Sequence, residues 1–193
     1  MSKEASHFAG VPIDLADENA LLRASLAAAH ERLHEMEQVS EVDALTGLPG
    51  RRRYIDALER AVGQAGRHGT PAAILTIDLK GLNAINDAHG RLAGDTVLLH
   101  VARLLSGLIR STDLLARTAG GQFALILDHL DQNSAIETSE RLVRCIRANP
   151  VDLGGRQVAI EAAIAVTGIL SGDTMDEVLE RADRNLIRAK TDC

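Results

Sequence analysis

The sequence predicts an α/β sandwich, a domain in which strands and helices alternate around a central sheet, preceded by a separate N-terminal helix. Three observations carry that prediction. Short runs of β-branched and apolar residues at 72–79, 114–117, 123–127 and 158–166 alternate with longer segments whose apolar residues recur at helical spacing. Gly120 and Gly121 fall between the second and third of those runs, as a hairpin requires. The helical segment nearest the N-terminus carries a narrower apolar seam than the others, and the turn residues after it set it apart from the domain.

The stretch 15–39 contains no Gly or Pro, and Leu22, Leu26, Ala29, Leu33 and Met36 recur at alternating steps of four and three. That is a coiled-coil seam, which implies a partner helix and hence a homodimer; docking of the helix on its own domain is the alternative. The division falls near residue 40, with the lead and dimerising helix in 1–40 and the globular domain in 41–193. Gly47, Pro49 and Gly50 introduce a helix at 51–64, and 72–79 suits a buried strand. The next helix is expected at 95–110, with Asp95 at its N-terminus as a cap and Val97, Leu98, Val101, Leu104, Leu105 and Leu108 on one face. After the hairpin come a helix at 134–148 that turns Ile136, Leu142, Val143 and Ile146 inward, a strand at 158–166 and a closing helix at 175–190.

With 46% apolar residues in 193, the chain can bury a proper core. Aromatics make up only 2% and tryptophan is absent, so the core is aliphatic and there are no stacking platforms for single-stranded nucleic acid. A net charge of −6 excludes the basic stripe that duplex DNA or RNA needs, yet leaves room for a small anion gripped by two or three arginines. Cys145 and Cys193 have no metal-ligand spacing and are expected as reduced thiols. No stretch reads as a signal peptide or a membrane helix, so a cytoplasmic protein without a membrane partner is expected.

Asp43, Leu45, Thr46, Gly47, Leu48, Pro49, Arg51 and Arg52 resemble the opening motif of GGDEF domains, the diguanylate cyclase family, with Gly50 where that motif has Asn. Ile77 and Asp78, then Asn86, Asp87, Gly90, Gly94 and Asp95, resemble the family's first strand and its guanine-reading residues. Arg117 to Phe123 lie where the signature hairpin belongs, and Ala182, Asp183, Ala189 and Lys190 resemble the closing helix. The matches run in order from Asp43 to Lys190. The resemblance implies a GGDEF domain of the palm or nucleotidyl-cyclase type, its central sheet mainly antiparallel and flanked by helices.

Condensing two GTP into cyclic di-GMP requires divalent metal, which needs clustered oxygen ligands. The resemblance makes Asp78 one such ligand, but Lys80 and Gly121 stand where the family has further acids. Gln122 replaces the family's Glu and can neither carry charge nor take a proton at neutral pH. The signature thus reads Ala119, Gly120, Gly121, Gln122, Phe123, and Asn83 replaces a family lysine. No catalytic residue is expected and no cofactor is required; Mg²⁺ enters only with residual GTP, which would contact Asn86, Asp95 and Lys190. These residues have local readings too: Asp78 as a strand-end residue capping a turn, Asn86 and Asp95 as caps, and Arg117 as the partner of a surface acid.

Arg110 and Asp113 resemble the RxxD motif with which many family members bind cyclic di-GMP at an inhibitory site. Arg141 lies where the family often supplies a second arginine to it. A guanidinium fork suits phosphate and can stack on guanine, while a carboxylate accepts from guanine N–H groups. A solvated Arg–Asp pair is the alternative. The expected function is therefore that of a catalytically degenerate signalling domain which binds cyclic di-GMP, as effector or regulator, and which a regulatory protein partner would suit. An active or partner-completed cyclase and a purely structural dimerisation domain are the alternatives.

Overall fold

The computed structural model describes residues 18–28 and 41–191. Met1–Met36 and Glu37–Cys193 form two units. In the first, residues 18–28 form helix α1, on which Leu21, Leu22 and Leu26 are exposed. Of the expected seam, Ala29, Leu33 and Met36 lie outside the described residues, as does the remainder of 15–39.

The second unit contains, in chain order, α2 (Arg51–His68), β1 (Ala72–Lys80), α3 (Leu82–His89), α4 (Arg91–Ser106), β2 (Leu114–Ala119), β3 (Gln122–Asp128), α5 (Gln132–Ala148), β4 (Val151–Asp152), β5 (Gln157–Val158), β6 (Glu161–Ile169) and α6 (Met175–Thr191). The main sheet has the order β2-β3-β1-β6 with every neighbouring pair antiparallel, and β4 and β5 form a small ribbon apart from it. β1 lies between two partner strands with helices on both faces, so residues 72–75 are apolar on both sides, while from Thr76 to Lys80 polar and apolar residues alternate. Ala73, Leu75, Ile77 and Leu79 pack with Val97, Val101 and Leu105 of α4 and with Leu142 and Ile146 of α5. Ala72 and Ile74 face the other way, onto Tyr54 and Leu58 of α2 and Val178 and Ala182 of α6.

The antiparallel sheet flanked by helices and the N-terminal helix agree with the sequence reading; several boundaries do not. Residues 82–89 form a helix where none was expected: its contact with the core is limited to the partly buried Leu82 and Ile85, too short a pattern for periodicity to register. Gly90, at φ +83°, ends α3 and begins α4, so α4 starts at Arg91 and stops at Ser106. Asp95 therefore lies in the second helical turn and is not an N-cap. Leu142 and Ile146 are buried as expected, but Val143 is only half-buried and Ile136 is 41% exposed; Ala135 and Ser139 complete the inward face of α5, under the cap that Asp131 makes to the Ser134 N–H. The stretch expected as one strand at 158–166 is two pieces, the end of β5 and most of β6.

Candidate functional site

The first candidate region lies at the end of β1. Asp78 sits opposite Gln122 of β3 and Ala163 of β6 in the ladder. The Gln122 Nε2 donates to Asp78 Oδ2 at 2.9 Å, and Lys190 Nζ of α6 lies 2.5 Å from the same oxygen. Asp78 is thus a paired carboxylate within the sheet, not a turn cap at a strand end. A cleft of about 330 Å³ opens beside it, lined by Leu82 and Asn83 of α3 and by the hairpin residues Ala119, Gly120, Gly121 and Gln122. A Cβ at Gly121 would lie 3.1 Å from Leu82 Cδ2, so an acid there would have to displace that methyl group.

This donor set does not fit a divalent cation. Hard cations take several oxygen ligands, whereas one oxygen of the single carboxylate here is engaged by an amide and an ammonium. Lys80 projects on the same side of β1 as Asp78, two residues on. Among the described residues, no group of three or more His, Cys, Asp or Glu side chains is arranged to hold a metal ion.

Asn86 and Asp95, grouped with Lys190 as nucleotide contacts, are placed differently from it. Lys190 joins Asp78, whereas Asn86 stands on α3 with its Oδ1 buried and without a hydrogen-bond partner. That oxygen presses on Gly94 of α4, the residue before Asp95; a Cβ at Gly94 would lie 2.0 Å from it, so any larger residue there would push the Asn86 amide out of its present place.

Arg117 is not the partner of a surface acid. Its Nη1 donates to Asp43 Oδ2 at 2.9 Å, with the two side chains only 12% and 10% exposed. Its Nε and Nη2 both donate to the Gly120 carbonyl, at 3.0 and 2.8 Å. Asp43 in turn accepts from the Thr46 N–H and hydroxyl, and the Arg117 N–H donates to the Pro49 carbonyl. The opening motif therefore clamps the hairpin turn from one side, a role that no local sequence signal announces.

The second region follows α4. The Arg110 N–H donates to Asp113 Oδ2 at 2.9 Å while the Asp113 N–H donates to the Arg110 carbonyl at 3.1 Å, a closed turn that leads into β2. Across from it on α5, Arg141 Nη2 donates to the Leu108 carbonyl at 3.1 Å. Arg110 and Arg141 line one cavity of about 360 Å³ together with Leu130, Ser134, Glu137, Thr138 and Arg144. A smaller cavity of about 50 Å³ shares Arg110, Leu130, Thr138 and Arg141 with it and adds Asp113. The three residues singled out in the sequence thus line adjoining cavities; the α5 stripe of Ser134, Glu137, Thr138 and Arg144 was missed, although its helical spacing was readable.

The chain is similar to diguanylate cyclase DgcP of Pseudomonas aeruginosa, at 33% identity over 163 residues, which cover 84% of this chain and 24% of that protein. It spans about a quarter of the length of such curated relatives. Among solved structures it is similar to diguanylate cyclase SiaD of Pseudomonas aeruginosa, solved with its activator SiaC, with a TM-score of 0.76, 28% identity and coverage of 92% of this chain and 68% of that one. It is also similar to the GGDEF domain of DgcB from Caulobacter crescentus, solved with cyclic di-GMP, with a TM-score of 0.75, 25% identity and coverage of 79% and 91%. The family model described as "Diguanylate cyclase, GGDEF domain" matches residues 40–192, and the chain belongs to the GGDEF family.

Proposed function

We propose that this GGDEF domain no longer condenses GTP and instead binds cyclic di-GMP through Arg110, Asp113 and Arg141, acting as an effector or regulator that pairs with a second copy through α1. The observation that carries this reading is the contrast between the two regions. Where a cyclase needs acids and metal, one carboxylate is satisfied internally by Gln122 and Lys190. Where a dianionic dinucleotide would bind, arginines from the loop after α4 and from α5 line one cavity.

The chemistry of that cavity suits a ligand with both phosphates and N–H edges. Arg141 spends one nitrogen on the Leu108 carbonyl, which holds its plane in place and leaves further N–H donors for phosphate. Asp113 gives Oδ2 to the backbone of Arg110 and keeps Oδ1 for a guanine N–H. Titration calorimetry with cyclic di-GMP tests the reading: Arg110→Ala and Arg141→Ala should each weaken binding about ten- to hundredfold. Wild-type affinity in both variants would overturn it.

The family's description and the surviving Asp78, Asn86 and Asp95 favour one competing reading, a cyclase with unusual ligands or one completed by a partner. Incubation of the purified protein with GTP and Mg²⁺ or Mn²⁺ separates the two. Robust synthesis of cyclic di-GMP would reverse the assignment.

A further inference from the structure

Of the three arginines that line the α5 cavity, Arg144 is the one that the family resemblance does not assign to the site. It lies one helical turn beyond Arg141 and lines the same cavity of about 360 Å³ as Arg110 and Arg141. Its present partner is weak. The Arg144 Nη1 is 3.5 Å from Glu140 Oε2, and the two side chains are 70% and 62% exposed, so the pair gains little in water. Arg141, by contrast, is tethered to the Leu108 carbonyl and cannot swing to follow a second charge without giving up that bond. The Glu137 carboxylate in the same lining disfavours a ligand that is anionic throughout and favours one that brings N–H donors beside its phosphates.

Resting on the reading of this cavity as a cyclic di-GMP site, the geometry points to Arg144 as a further phosphate-binding arginine, held by Glu140 while the cavity is empty and transferred to a ligand phosphate when it fills. The exchange trades a solvated ion pair for a charge-assisted contact in a more enclosed setting, with Arg141 fixing the ligand and Arg144 closing on it. Glu140 then competes with the ligand for Arg144.

Titration calorimetry with cyclic di-GMP at low and high salt, on the full chain and three variants, tests this. Arg144→Ala should bind about tenfold more weakly with a flatter salt dependence, Arg144→Lys should fall between it and the parent, and Glu140→Gln should bind about twofold more tightly. A parent that binds while Arg144→Ala binds equally well overturns this inference alone. Weaker binding by Glu140→Gln also overturns it, because the ion pair would then be supporting the site rather than competing with the ligand. A parent that shows no saturable binding overturns both the inference and the reading beneath it.

Discussion

Arg117 and Asp43 stand 74 residues apart in sequence and meet with little solvent between them. The guanidinium is shared between that carboxylate and the Gly120 carbonyl, so one side chain fixes both the opening loop and the hairpin turn. Removing it leaves a nearly buried carboxylate without its counter-charge, which is the costly way to break such a pair. Arg117→Ala should therefore destabilise the domain by about 2–4 kcal/mol, and Arg117→Lys should restore only part of that because an ammonium cannot make the fork. Denaturant midpoints measure both, and a loss within about 0.5 kcal/mol for Arg117→Ala, the range of ordinary surface changes, would mean the clamp contributes nothing. The sequence shows that Asp43 opens a motif and that Arg117 precedes a hairpin. It does not show that they touch, since a long-range contact leaves no mark on local pattern.

At the scale of elements, α6 shows how a helix is fastened by polar groups that apolar periodicity does not register. Arg181 bonds the Asp173 carboxylate and the Gly168 carbonyl at the end of β6. One turn along, the Asn185 Nδ2 donates to the Val166 carbonyl and the Thr167 hydroxyl. The Arg181 guanidinium holds the Asp173 carboxyl below its ordinary range, aided by the Leu170 N–H and opposed by burial. A depressed folded pKa gives stability that is complete above the unfolded value of about 4 and is lost as pH falls through the folded one. Asp173→Asn should lower stability at neutral pH and flatten its decline in acid, and unfolding curves across that pH range would show a parallel decline if the pair were unimportant. For α1 the prediction concerns assembly. If the exposed Leu22 and Leu26 seat a second copy, a chain beginning at Ser40 should sediment as a monomer while the full chain is a dimer. A dimer in both would move the interface into the globular domain. Element by element, legibility followed burial: the core helices and strands could be read because long apolar sides face the sheet, whereas the eight-residue α3 sets only the partly buried Leu82 and Ile85 against the core.

For the molecule as a whole, the alternation of strands and helices was visible in the residues and the antiparallel character of the sheet followed from the family resemblance, but the order β2-β3-β1-β6 was legible in neither, because periodicity does not encode which strands are neighbours. The same holds for the two candidate regions, each assembled from segments far apart in the chain. Their separation allows a test of the whole functional reading by ligand-linked stability. A ligand that binds only the folded state at about a hundred times its dissociation constant adds about 2.7 kcal/mol, which for a domain of this size raises the unfolding midpoint by roughly 5–10 °C. Cyclic di-GMP should produce such a shift. Because the ligand is a dianion held by arginines, and salt screens that attraction, the shift should shrink as salt rises. Asp78→Ala should keep it, since Asp78 engages Gln122 and Lys190 and lines neither of the arginine cavities. GTP with Mg²⁺ should leave the midpoint unmoved. A midpoint that rises with GTP and Mg²⁺, and loses that rise in Asp78→Ala, would mean that the β1 cleft still holds a metal nucleotide and that the domain's chemistry lies there.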